Sequence, residues 1–371
     1  KFFAGLPVSD CKICLVQNKI CSLSRKHGNL NRLSDTIPTM KKILFAILVA
    51  PFFFQACSND FDVAAPWQDI PIVYGLLNVS DTAHYIRVEK AFLDPNADAF
   101  DIAQIPDSLY YENALVQLAK LNTGEVFTLQ KVDGTLEGYP RKAGTFANVP
   151  NWLYKIDSLT LDLKEGDEIQ IQVDRGNGLP LVTANALILG KGIQRVPIAS
   201  NPTFAFDYNL PTTLSWSSSD QARIFDVTLF IKYTEYPIGQ PDLFEHKVIE
   251  WKWGQGIRFP TVATQYTIEK QGVEFYQVLA NNIPVNPDMK RIFEGIDIQI
   301  IQGGEALEKF INVSLANTGI TGSQELPTYT NLSEGLGVFS SINYLVTENA
   351  LLTAVSRDSL RNGIYTKDLN F

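Results

Sequence analysis

The chain has 371 residues, is 45% hydrophobic and carries a formal net charge of −9 at pH 7. Residues 1–56 hold eight of its 31 Lys and Arg and two of its 40 Asp and Glu, so residues 57–371 have a net charge of −15. A body this acidic repels nucleic-acid phosphates and anionic lipid surfaces, which argues against a nucleic-acid partner and against membrane attachment through surface charge.

The segment 1–39 contains Cys11, Cys14 and Cys21 in a stretch of Lys, Asn, Ser and Leu without a clear period. The spacing is compatible with a metal site, but structural zinc requires four ligands and a defined framework. We expect instead that these residues come from a start codon assigned too far upstream. The first cysteine of the mature chain is then Cys57, and it is also the only one, so a disulfide framework and a thiolate metal site are excluded.

Residues 40–57 (MKKILFAILVAPFFFQAC) combine two lysines, an apolar run of 12 residues and a small residue, Ala56, before Cys57. A membrane-spanning helix needs about 20 apolar residues, so the run is too short to span. A buried core helix is disfavoured because Pro51 interrupts it. The pattern is typical of a secretory signal peptide, here of the lipoprotein kind. We expect residues 40–56 to be removed and Cys57 to carry lipid.

After the acidic tether at residues 57–66 come short segments in which apolar and polar residues alternate, with turn residues between the segments. Examples are residues 159–163 (LTLDL) and 169–173 (IQIQV), separated by a turn at Gly166. Alternation with period two indicates half-buried strands, and many short strands in series are typical of a β-sandwich. Residues 67–195 are therefore predicted to form an immunoglobulin-like β-sandwich.

A second strand-rich block, residues 203–371, follows a proline-containing linker. Its opening strand ends in Trp216, and a long alternating strand comes next, as in fibronectin type III or immunoglobulin-like domains. Residues 272–280 and 305–313 have apolar spacings that suggest helices. The predicted fold class is thus all-β, with two β-sandwiches and a few short helices in the second, decorated one.

Few residues of the mature chain offer catalytic or metal-binding chemistry. Its two histidines, His84 and His246, lie in or beside strand patterns without a nucleophile motif, and no phosphate-binding glycine loop follows a strand. Residues 94–101 (DPNADAFD) alternate oxygen side chains but lack the glycine and glutamate of a calcium-binding EF-hand loop. We therefore predict that the protein is not an enzyme and that it holds no metal and no cofactor.

Three tryptophans are candidates for stacking on a sugar or peptide ligand. Trp251 and Trp253 point to the same side of a predicted strand, where they form either a stacking platform or part of the core. The apolar Ile249 on the same side favours the core. Trp152 lies nearer a loop and is the better candidate for exposure.

Five segments carry a resemblance to a known family: residues 72–78 (IVYGLLN), 85–88 (YIRV), 91–93 (AFL), 103–108 (AQIPDS) and 331–339 (NLSEGLGVF). In these segments the chain resembles Bacteroidota outer-membrane lipoproteins of unknown function. The resemblance implies an immunoglobulin-like N-terminal domain, a lipid anchor in the outer membrane and a TonB-dependent receptor as partner. It also implies O-glycosylation at D-[ST]-apolar sites, for which the candidates are Thr82, Ser108, Ser158 and Ser359.

The functional expectation is a lipid-anchored, non-enzymatic accessory or binding lipoprotein of the outer membrane, acting in a complex of the TonB-dependent transporter type. A carbohydrate- or peptide-binding surface lipoprotein is the second interpretation, and exposure of the three tryptophans distinguishes it. An envelope hydrolase is the third, and it requires convergent carboxylates or a polar partner beside His246.

Overall fold

The computed structural model describes residues 69–92, 99–260, 263, 265–316 and 328–371. The upstream segment 1–39, the signal peptide 40–56, Cys57 and the tether lie outside the described residues. Of the acidic loop, residues 94–98 also lie outside them, and the remaining three residues belong to a short helix, Ala99–Ala103.

Sixteen strands and six α-helices are present in the described part of the chain. The strands of its first half are β1 (Asp69–Leu77), β2 (Ala83–Phe92), β3 (Leu115–Lys120), β4 (Val126–Thr128), β5 (Gln130–Asp133), β6 (Trp152–Asp157), β7 (Glu168–Asp174) and β8 (Val182–Leu187). Those of the second half are β9 (Ile193–Val196), β10 (Thr203–Phe204), β11 (Pro211–Ser217), β12 (Ile224–Pro237), β13 (Glu245–Ile257), β14 (Tyr266–Gln271), β15 (Met289–Gly303) and β16 (Leu336–Leu352). The helices are α1 (Ala99–Ala103), α2 (Pro106–Leu109), α3 (Ser158–Leu161), α4 (Val273–Asn282), α5 (Glu305–Ala316) and α6 (Ala354–Asn362), and a 3-10 turn spans Lys367–Leu369.

The first sandwich packs a four-stranded sheet, in the order β4-β3-β7-β8, against the β1-β2-β6-β5 part of a nine-stranded sheet. Alternation dictates this packing, because every second residue of β7 is buried and the residues between them are more exposed. Val73 and Ile86 from one sheet meet Val116 and Ile171 from the other in a common core. Such burial of apolar area is the main stabilising term in a domain of this size.

The second sandwich packs a three-stranded sheet, β14-β11-β9, against the β13-β12-β15-β16 part of the large sheet. Its core is rich in aromatic side chains, including Trp216, Phe225 and Tyr266. Helix α4 completes the core by burying Phe275 and Tyr276 along one face. The helices expected at residues 272–280 and 305–313 are confirmed as α4 and α5.

Strand β16 belongs to both halves of the chain. Its first residues pair in parallel with β1, from Leu336 opposite Ile72 onward, and its later residues pair antiparallel with β15. Phe339 and Leu332, from this late part of the sequence, are buried in the core of the first sandwich. The C-terminal segment therefore completes a sandwich whose other strands come from the first half of the chain.

The predicted fold class, all-β with two sandwiches and a few short helices, is confirmed. The boundaries at residues 195 and 203 stay a prediction, to which the structure adds the contribution of β16 to the first core.

Candidate functional site

A cluster of polar side chains lies on the outer face of the first sandwich, beneath the loop of residues 134–151. The loop connects β5 to β6 and folds back over the sheet, because Gly134 donates its amide to the Asn151 carbonyl at 2.7 Å. The Asn151 side-chain amide in turn donates to the Tyr139 carbonyl at 2.6 Å. A Cβ added at Gly134 would lie 2.6 Å from Leu153 Cδ1 and 2.8 Å from Asn151 Nδ2, so a larger residue would displace these side chains.

A cluster of two arginines and one glutamate lies under this loop. Arg87 Nη1 on β2 donates to Glu89 Oε1 at 2.8 Å and to Asn151 Oδ1 at 2.9 Å. Arg141 from the loop reaches the same carboxylate, with Nη1 3.0 Å from Oε1 and Nη2 donating to Oε2 at 3.2 Å. Arg141 also donates to the Tyr110 hydroxyl at 3.3 Å. In this cluster two cations share the carboxylate of Glu89.

Trp152 borders this cluster at the start of β6. It is half-buried and packs with Phe146 against a small apolar group formed by Leu109, Tyr110 and Ala147. Lys131 Nζ lies 5.4 Å from the Trp152 ring centroid, a cation–π distance. Burial lowers the pKa of Lys131. A partly exposed indole beside cationic side chains can stack on a sugar ring or hold an anionic group.

The other two stacking candidates are core residues, which corrects the stacking interpretation for this pair. Trp251 and Trp253 are 6% and 5% exposed, and their rings meet edge to face with centroids 5.3 Å apart. Phe206 and Phe204 cover them, with ring centroids 6.0 Å from Trp251 and 6.1 Å from Trp253. Because these faces are occupied by the protein's own rings, no ligand can stack there.

The two histidines occupy opposite environments. His84 is 2% exposed, neither of its ring nitrogens has a hydrogen-bond partner among the described residues, and burial lowers its pKa to about 4. His246 is on the outer surface, where its Nδ1 lies 2.9 Å from Thr234 Oγ1 and 3.0 Å from Glu294 Oε1. The polar partner that a hydrolase requires is thus present. A Ser-His-Asp type of relay, however, uses both ring nitrogens, and here both partners meet Nδ1.

Two of the four glycosylation candidates lie side by side at one end of β2 and β6. The Ser158 amide donates to the Thr82 carbonyl at 3.0 Å, and Thr82 is exposed while Ser158 is half-buried. Ser108 and Ser359 are also half-buried, and the Ser108 hydroxyl donates to the Ile105 carbonyl at 2.6 Å. Modification at these positions stays a prediction.

Two of the five segments that carry the family resemblance, residues 72–78 and 331–339, contact each other in the structure. Residues 72–77 pair with residues 336–341, and Asn331 closes the junction by exchanging hydrogen bonds with the Phe339 backbone at 2.7 and 3.0 Å. Gly337 has φ +124°, and a Cβ there would lie 1.9 Å from the Val73 carbonyl oxygen. The motif 331–339 is therefore explained by folding, because it brings β16 against β1.

Arg175, near this junction, is buried, and the residues around it in the sequence do not predict this. The Arg175 side chain is 0% exposed, and its Nη2 donates to Glu334 Oε2 at 2.9 Å. Its Nη1 lies 3.5 Å from Asp69 Oδ2, and Asp69 Oδ1 accepts a hydrogen bond from the Tyr111 hydroxyl. The partners are distant in sequence, so only the fold reveals this network, which links the first strand to the motif 331–339.

Among the described residues, no group of three or more His, Cys, Asp or Glu side chains is arranged to hold a metal ion. The helices in the same part of the chain are all too short or too polar to cross a bilayer.

No protein-family model and no curated protein sequence matches the chain. Among solved structures, the C-terminal globular domain of an oligosaccharyltransferase from Pyrococcus abyssi is 11% identical over 64% of this chain, with a TM-score of 0.22. The chain spans 46% of that domain. The FN1–FN3 domains of chicken CNTN1 are 8% identical over 74% of this chain and 67% of theirs, with a TM-score of 0.15. At TM-scores this far below 0.5, neither structure indicates a shared fold or activity.

Proposed function

We propose that this protein is a lipid-anchored accessory lipoprotein of the outer membrane, without enzymatic activity, that joins a complex built around a TonB-dependent transporter. The observation that carries the proposal is the segment 40–57, in which a positively charged start and a short apolar run lead directly to Cys57. The first strand begins at Asp69, only twelve residues after that cysteine. Lipid on Cys57 would hold the sandwiches close to the membrane surface.

Charge supports attachment through lipid rather than through the protein surface. Residues 57–371 have a net charge of −15, which repels anionic headgroups. A single acyl chain binds a bilayer reversibly, at about 0.8 kcal/mol per buried CH₂, whereas two or more chains give durable anchoring. The proposed anchor therefore needs the multiple acylation that a lipoprotein cysteine receives.

Affinity purification from gently solubilised outer membrane tests the accessory role. The native lipoprotein carrying a C-terminal tag is expected to recover an integral outer-membrane protein in near-stoichiometric amount. The Cys57→Ser variant is the control, because it keeps the folded body and removes the acylated thiol. Recovery of the lipoprotein alone would contradict the proposal.

A second candidate, binding of a carbohydrate or peptide ligand, is favoured by one observation, the half-buried indole of Trp152 beside Lys131. Its test is the quenching or shift of Trp152 fluorescence on addition of envelope oligosaccharides or peptides. The variant Trp152→Phe should lose that response. A response that survives in the variant would remove Trp152 from the candidate site.

A further inference from the structure

Strand β13 forms one end of the nine-stranded sheet. It spans 13 residues and pairs with β12 along one side. On its other side no residue of the described ranges forms a backbone hydrogen bond with it. The strand at the opposite end of the sheet, β5, has only four residues. A long unpaired edge is a template for pairing with another strand, and proteins commonly shorten, twist or charge such edges.

The side chains on one face of β13 are buried in the core, and those on the other face are exposed. Residues Trp251 and Trp253 are buried on the inner face, whereas Glu250 and Lys252 are each 54% exposed on the outer face. The contact between these two side chains within one chain is loose, since Lys252 Nζ lies 3.8 Å from Glu250 Oε1. Both charges are therefore open to a partner across the free edge.

The order of these charges makes the edge self-complementary. When a second copy of β13 runs antiparallel with Trp251 opposite Trp251, each Glu250 faces Lys252 of the other copy. Residues directly opposite in an antiparallel pair lie on the same face, so both exposed charge pairs form together.

We propose that β13 is a self-association edge, at which two copies of this chain pair antiparallel about Trp251 and join their large sheets. A two-fold axis perpendicular to the sheet generates this contact, and such isologous pairing is the commonest form of homodimer. An unrelated neutral strand would leave Lys252 and Glu250 unmatched, whereas a second copy matches both. The dimer is expected to be weak, because the ladder of β13 with β12 becomes irregular past Lys252 and limits the length of regular edge.

Charge reversal tests the proposal in the chain that begins at Ser58, which retains every residue of both sandwich cores. Sedimentation velocity from micromolar to near-millimolar concentration should show a monomer–dimer equilibrium. Glu250→Lys and Lys252→Glu each place like charges opposite one another twice, which should raise the dissociation constant at least about tenfold. The double variant restores two attractive pairs and should recover the original constant.

Lys164→Glu is the matched control, because its side chain is 72% exposed and it changes the net charge as Lys252→Glu does. It should leave the equilibrium unchanged. Circular dichroism confirms that each variant remains folded. A monomer at every concentration, single variants that dimerise like the original chain, or a folded double variant that fails to recover would each overturn the proposal. These outcomes do not involve Cys57, so they are separate from failure of the proposed anchoring.

Discussion

Replacing His84 with leucine tests whether a neutral imidazole is buried in the first sandwich. The folded chain lowers the pKa of His84 from 6.5 to about 4 because burial disfavours the charged ring. The unfolded chain takes up a proton as the pH falls below 6.5, and the folded chain does so only near 4. Stability contributed by the neutral ring is therefore present above pH 6.5 and is lost progressively as the pH falls toward 4.

The magnitude follows from the separation of the two pKa values. At about 1.36 kcal/mol per pKa unit, the complete loss below pH 4 is about 3.4 kcal/mol. Between about pH 7.5 and about pH 5, the part lost is about 2 kcal/mol. Burial also raises the pKa of Asp81, and that opposing contribution is common to the original chain and to the variant, so it cancels in the comparison.

Urea unfolding at these two pH values, followed by circular dichroism, measures the effect. The original chain should lose about 2 kcal/mol more than His84→Leu between them. His246→Gln is the matched control for removal of one histidine, because that side chain is 65% exposed on the outer surface. Equal loss of stability by His84→Leu and the original chain would show that His84 is not buried as a neutral ring.

Three further outcomes are expected. In urea unfolding, Gly337→Ala should lower the free energy of unfolding by about 3 kcal/mol or more, because its backbone has φ +124° and the new Cβ would lie 1.9 Å from a carbonyl oxygen. Gly124→Ala is the control: a Cβ there meets nothing within 4 Å, so the cost should be about 1 kcal/mol. Phe339→Ala should cost about 3–5 kcal/mol and speed amide exchange in β2 and β6 of the first sandwich, and unchanged exchange there would contradict the role assigned to β16. In a Trp67→Phe background, Trp152→Phe should remove the acrylamide-accessible fluorescence, because the three tryptophans that remain, Trp216, Trp251 and Trp253, are buried. Persistent accessible emission would contradict that burial.

The elements with local signals were predictable from the sequence. Alternation in residues 169–173 indicated a strand, and β7 lies there, while the apolar spacing in residues 272–280 indicated the helix α4. Ile249, on the same side of the strand as Trp251 and Trp253, correctly favoured burial of the pair. In each case the residues that determine the structure are neighbours in the chain.

Long-range pairing was not predictable, because its partners are distant in sequence. Nothing in residues 336–341 alone indicates that they pair with β1 more than 260 residues earlier. The charged partners of the buried Arg175 are Asp69 and Glu334, which lie more than 100 residues away from it in opposite directions along the chain. The path of the loop that brings Arg141 over Glu89 could not be predicted from its residues either, because it depends on the sheet beneath the loop.

The proposed function depends on Cys57 becoming the acylated first residue of the mature protein. Mass spectrometry of the N-terminal peptide, from protein expressed in a cell with the lipoprotein pathway, tests it directly. We expect a peptide that begins at Cys57 and carries the mass of a diacylglyceryl group, with no such peptide from Cys57→Ser. A mature protein that keeps residues 40–56, or an unmodified Cys57, would contradict it.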